Sequence, residues 1–121
     1  MVTFDPFLRI VCSEGRWLGD LGLCQSYGYT KPVAFRALDA LKGTGVIMIG
    51  SEVMSLVGSK WQHTVNVGKD VWYFSSPPGE TPAESSLRSI AELRNFVSAH
   101  RNPEGGEVLF TLELSCGSRE D

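Results

Sequence analysis

The chain has 121 residues, 42% of them hydrophobic and 21% charged, which is the composition of an ordinary globular domain with one core and excludes a disordered, fibrous or collagen-like chain. Eleven basic residues against fourteen acidic ones leave a net charge of -3, the wrong sign for a nucleic-acid binder, which concentrates Lys and Arg on one face. No stretch reaches the roughly 20 apolar residues of a membrane span, and Met1-Val2-Thr3-Phe4-Asp5-Pro6 lacks the basic start and apolar run of a signal peptide, so the expected setting is cytoplasmic, with no membrane partner.

In chain order, Asp5-Pro6 can cap and open a short helix, because the fixed φ of proline suits the first helical turn and its missing N–H is not needed there. Phe7, Leu8 and Val11 would form its apolar side. From Gly15 to Gly28 repeated glycines and Leu21-Gly22-Leu23-Cys24 show no clean period, so residues 1–29 are expected to be largely irregular. Thr30 offers the next cap, Pro32 falls in the first turn, and Ala34, Ala37, Leu38 and Leu41 recur at helical spacing until Gly43 and Gly45 stop them. Val46 to Ile49, an apolar run bounded by glycines, reads as a strand buried on both faces.

Trp61, His63, Val65 and Val67 alternate with polar residues, Gly68-Lys69-Asp70 supplies a turn, and Val71-Trp72-Tyr73-Phe74 reads as the returning hairpin strand. Pro77-Pro78-Gly79 is a connector, since two prolines remove donors. Thr81-Pro82-Ala83-Glu84 is the strongest local signal: a capping residue, proline at the first position and a glutamate to close a capping box. Leu87, Ile90, Ala91, Leu93 and Val97 mark the expected buried side of this helix, which Asn102-Pro103 and Gly105-Gly106 end. Val108 to Leu114 reads as a strand, and the polar residues 115–121 as a tail that frays. With no repeat and no linker, residues 1–121 form a single domain of α+β class: a mixed or antiparallel sheet of about four strands covered by two main helices. A strand, helix, strand order near the end permits a crossover that lays the last strand parallel to a neighbour.

Catalytic signals are sparse. A phosphate loop needs several glycines between strand and helix; Gly50 stands alone, with Glu52 where an anion would sit. Cys12, Cys24 and Cys116 are odd in number, match no zinc spacing and read as reduced, partly buried thiols. His63 and His100 suit structural roles, one on a strand beside Trp61 and Val65, the other in a last helical turn where a cation meets the helix dipole. No cofactor or metal site is expected. Glu52 and Asp70 could work as acid and base if the hairpin packs beside the central strand, which defines a minor hydrolase alternative. Trp61, Trp72, Tyr73 and Phe74 crowd one hairpin, where core packing is the commoner role and an exposed recognition surface the other.

Ala37-Leu38-Asp39-Ala40-Leu41, the strand Val46 to Ile49 leading into Gly50-Ser51-Glu52-Val53, Val71-Trp72-Tyr73, and Ser89-Ile90 through Phe96-Val97 together resemble the bacterial immunity protein 40 family over roughly Leu21 to Leu114. Ser51 stands where that family has a second glycine and Glu52 where it has an aspartate, so the acid is kept with a longer reach. The resemblance implies a stoichiometric inhibitor that binds a cognate toxin domain and needs no chemistry of its own. The expected partner-binding residues are Glu52, Ser51, Trp61, Asp70 and Tyr73, with Glu52 either touching the partner or capping local backbone donors. The other class left open is a non-catalytic adaptor or regulatory domain using the same aromatic hairpin.

Overall fold

The structure, a computed structural model, describes residues 3–18, 27–57, 60–63, 71–101 and 107–115. Its elements in chain order are α1 (Asp5–Glu14), β1 (Arg16–Trp17), β2 (Tyr27–Gly28), α2 (Lys31–Leu41), β3 (Ile47–Val57), β4 (Lys60–His63), β5 (Val71–Tyr73), α3 (Pro82–Ala99), β6 (Val108–Phe110) and β7 (Glu113–Ser115). The α+β class holds. The N-terminal part is more ordered than its composition predicts, because β1 and β2 pair as an antiparallel ribbon, Arg16 opposite Gly28 and Trp17 opposite Tyr27. Asp5 is not the cap of α1: Phe4 occupies that position, and Asp5 lies in the first turn, where its charge still suits the helix N-terminus. Phe7 is buried and Val11 packs against the core, while Leu8 faces out.

β3 is the spine of the sheet. Its first half pairs with β5 on one edge (Gly50 opposite Tyr73) and with β7 on the other (Gly50 opposite Glu113). Its second half pairs likewise with β4 (Met54 opposite His63) and with β6 (Met54 opposite Leu109), all antiparallel. The expected hairpin is therefore corrected: β5 pairs with β3 and not with β4, the two following each other along one edge of the long strand. The turn expected at Gly68-Lys69-Asp70 lies outside the described residues. The crossover through α3 does lay β7 in the direction of β5, but β3 runs between them, so among the described strands no adjacent pair is parallel.

The strand expected over Val108 to Leu114 divides at Thr111 without losing register. Thr111 stands opposite Glu52, donates its N–H to the Glu52 carbonyl at 2.9 Å, and returns the second bond through its hydroxyl, which accepts from the Glu52 N–H at 2.9 Å. A side chain thus replaces one rung of the backbone ladder. On β3 the register with β7 shifts between Met48 and Gly50, making Ile49 the extra residue of a bulge. The bulge reverses which residues face the helices: Val46 and Met48 before it and Val53 after it all enter one core, while Ile49 is exposed, so the strand is not buried on both faces along its length.

α2 and α3 cover the inner face. Thr30 precedes α2 in extended conformation and Pro32 sits in its first turn, with Val33, Ala34, Ala37, Leu38 and Leu41 buried. Gly43 and Gly45 then take φ of 84° and 86°, the left-handed region open to glycine, and turn the chain into β3. The capping box of α3 is complete: Thr81 Oγ1 accepts from the Glu84 N–H at 3.1 Å and Glu84 Oε1 from the Thr81 N–H at 3.0 Å. The buried side of α3 is displaced from the expected one, comprising Ser85, Ser86, Ser89, Ile90, Leu93 and Val97, with Leu87 and Ala91 exposed. Small serines let the helix backbone approach the sheet, and Ser89 Oγ uses that proximity, accepting from the Met48 N–H at 3.0 Å while donating to the Ser86 carbonyl at 3.0 Å.

Ion pairs tie the helices down at their ends. Arg36 on α2 grips both carboxylate oxygens of Glu14 on α1, and Lys31 at the start of α2 donates to the His100 carbonyl at the C-terminus of α3 at 3.0 Å, satisfying an orphan acceptor. Arg88 on α3 holds Glu80 through two nitrogens (2.8 and 3.0 Å) and lies 4.7 Å above the Phe74 ring, closing the connector onto the helix.

Two outcomes follow. Ser89→Ala leaves the Met48 N–H without its acceptor beneath the helix; it should cost about 1–3 kcal/mol, seen as a lower urea midpoint at unchanged slope. Glu80 is held below its ordinary 4.5 first by the Arg88 hydrogen bonds and then by that of Ser85. The folded carboxyl thus binds protons less readily than the unfolded one, so its contribution is complete above about pH 4.5 and is lost as the pH falls through the lower folded value. The stability gap between the wild type and Glu80→Gln should accordingly narrow between pH 7 and pH 3 in paired unfolding curves.

Candidate functional site

The outer face of the sheet is covered at one end. Over the second half of β3 lies the β1–β2 ribbon: Leu18 packs on Met54 and Leu109 to form a second, small core. Close approach at Gly28 makes this possible, since a Cβ there would stand 2.8 Å from Leu109 Cβ and 3.2 Å from Leu18 Cδ1. Tyr29 fastens the ribbon to the sheet by exchanging two backbone bonds with Phe110 (2.9 and 2.8 Å). On the ribbon's own outer side Trp17 and Tyr27 meet edge to face at 5.3 Å.

Over the first half of β3 no ribbon of described residues lies on this face. Gly50 lies in the middle of the strand, with Tyr73 opposite on β5 and Glu113 opposite on β7. A side chain at Gly50 would run into the Glu113 carboxylate, which leans across it, and would touch the Tyr73 ring edge at 3.5 Å. Gly50 adopts no positive φ, so its role is this close approach and not a turn. Glu52, two residues along the same face, is partly exposed, with Val71 opposite, and Tyr73 is 70% exposed. The bulged Ile49 adds an exposed apolar edge. Together these set an aromatic ring, an apolar edge and two carboxylates around Gly50, which is itself buried beneath the Glu113 carboxylate.

Of the five residues expected from sequence, the structure brings Glu52 and Tyr73 together here. Ser51 belongs to the opposite face: it is 1% exposed, on the side of Val53, and its hydroxyl has no hydrogen-bond partner among the described residues. Trp61 pairs in register with Leu56, but its side chain lies outside the described ones, as does the whole of Asp70. Trp72, the neighbour of Tyr73, turns inward, packs against the core and stacks on buried Phe74 at 6.2 Å. Two members of this group were missed, Glu113 and Ile49. Thr111 and Glu113, polar at alternate positions of an otherwise apolar segment, carried the signal for the first, although only Glu113 of the two is accessible. Nothing local announces the bulge. Among the described residues no three His, Cys, Asp or Glu side chains gather as a metal site, and no helix is long and apolar enough to cross a membrane.

The fold is that of a small α+β domain built on one long antiparallel strand. The family model of Immunity protein 40 matches residues 17–114, and the chain belongs to that family. The matched segment runs from β1 into β7 and leaves α1 outside it. Comparison with curated proteins and with solved structures gives no match.

The ribbon's cover of the other end of this face can be tested. Gly28→Ala should cost about 1–3 kcal/mol by forcing the ribbon from Leu109. It should also make Met54 oxidisable by peroxide, while Met48, buried under α3, stays protected in both proteins, as peptide mass spectrometry will read.

Proposed function

We propose that the chain is a bacterial immunity protein that binds a cognate polymorphic toxin domain in the cytoplasm and neutralises it stoichiometrically, without catalysis. The observation that carries this reading is membership of the Immunity protein 40 family over 17–114. Supporting it, the accessible groups of the outer sheet face, Glu52, Tyr73, Glu113 and Ile49, are suited to contact and carry no nucleophile paired with a base. Exposed Tyr rings beside charged groups are frequent anchors of protein interfaces, where a few residues supply most of the affinity. Ser51, buried beneath the same strand, acts in this reading as part of the support and not as a contact. Trp61 and Asp70 remain candidate contacts of this reading.

The test is co-expression with the C-terminal domain of the protein encoded immediately upstream. Rescue of the host and co-purification as a one-to-one complex are the expected result, and Glu52→Lys with Asp70→Lys, shown to be folded by its unfolding curve, should abolish rescue. A toxic domain that is neither bound nor neutralised by the wild-type chain overturns the reading.

A further inference from the structure

We infer that the outer edge of β5 receives an extended segment of the toxin, which joins the sheet as a further strand beside Val71-Trp72-Tyr73; this rests on the immunity reading and specifies its contact. Backbone direction is the evidence. In an antiparallel ladder, alternate residues turn both N–H and carbonyl toward the same neighbour. Glu52 spends its N–H and carbonyl on Thr111, at the opposite edge of β3 from β5, and the Phe74 N–H donates to the Ile49 carbonyl at 3.3 Å. Glu52 stands opposite Val71, Ser51 opposite Trp72 and Gly50 opposite Tyr73. Trp72 and Phe74 are therefore the residues that bond to β3, and Val71 and Tyr73 direct their backbone groups away from it. Among the described residues no strand takes these groups up. The edge of β6 differs, because there Tyr29 exchanges two backbone bonds with Phe110.

The chemistry of the edge selects the occupant. Donors and acceptors that repeat at every second residue match another extended backbone, which supplies the same repeat along its own length. Edge strands that are kept from pairing carry a lysine, a proline or a bulge; Val71-Trp72-Tyr73-Phe74 has no charge and no proline, and its valine and aromatic residues are strong strand formers. Trp72 packs against the core and stacks on Phe74, so the edge is in place before a partner arrives and binding need not order it. Tyr73 is 70% exposed, and its ring offers a cross-strand neighbour to an apolar side chain of the incoming segment. A second copy paired edge to edge through three residues would bury far less than the roughly 1,200 Å² of a stable interface, whereas a folded toxin domain adds contacts beyond the strand.

The test is amide hydrogen exchange, read residue by residue by NMR, on the chain alone and bound to the upstream-encoded C-terminal domain. In the free chain the Trp72 and Phe74 amides should exchange slowly and those of Val71 and Tyr73 fast. In the complex Val71 and Tyr73 should slow at least tenfold, with downfield shifts of their amide protons. Val71→Pro removes one outward donor and no bond to β3, and should bind about tenfold more weakly; if this variant does not fold, the exchange data decide alone. Slow exchange of Val71 and Tyr73 in the free chain, whether a second copy or the chain's own residues cover them, overturns the inference. A wild-type complex in which neither amide slows, or wild-type affinity in a folded Val71→Pro chain, also overturns it and leaves the immunity reading standing. A wild-type chain that does not bind a toxic upstream domain overturns the immunity reading and this contact with it.

Discussion

Every layer of this domain is referred to one strand. β3 is paired along both edges, by β5 and β4 on one side and by β7 and β6 on the other, so its backbone groups are used almost from end to end and each shorter strand is stable only through it. Among the described residues none of the four flanking strands pairs with another of them, and a strand of three or four residues has no independent stability in water. Helices and ribbon are likewise positioned against β3: α3 reaches it through the Ser89 hydroxyl, and the ribbon through the cluster of Leu18, Met54 and Leu109. Losing the conformation of β3 therefore dissolves both the inner core and the outer face together.

The bulge at Ile49 connects that architecture to the outer face. Without an extra residue, the alternation that buries Met48 would carry Gly50 into the core and Ser51 and Val53 out of it. With it, Val53 joins the main core and Gly50 and Glu52 come to the outer face beside Tyr73 and Glu113. Opposite, the hydroxyl of Thr111 completes the ladder where Glu52 would otherwise lack its second rung. The presentation of Glu52 thus depends on one inserted residue on β3 and one side-chain bond from the facing edge.

Much of the framework was legible because local physics and tertiary structure agree. The capping box at Thr81 and the apolar period of α2 each specify a local geometry that the fold uses unchanged. Other features were hidden for identifiable reasons. Apolar periodicity placed Leu87 and Ala91 in the core, yet the helix turns its serines inward because small side chains and their hydroxyls allow a closer approach to the sheet than leucine does. Val71-Trp72-Tyr73 was recognisable as a strand, but its partner was not, since pairing is set by contacts distant in sequence. The steric reason for Gly50 stands on β5 and β7, beyond what its sequence neighbours show. At the candidate site, Glu52 and Tyr73 were found from their own chemistry, whereas Glu113 belongs to it only through the register of β7.

The shortness of β5 and β7 bears on how such a surface can change. Tyr73 and Glu113 stand on three-residue strands held to β3 by main-chain bonds, with the inward-facing Trp72 and Leu114 supplying the grip on the core. Because successive residues of a strand face opposite ways, outward positions can be exchanged while inward ones stay fixed. Aromatic and acidic groups at 73 and 113 are in this sense a replaceable facing on a permanent frame, and a lineage can change those two codons without first solving the packing problem again.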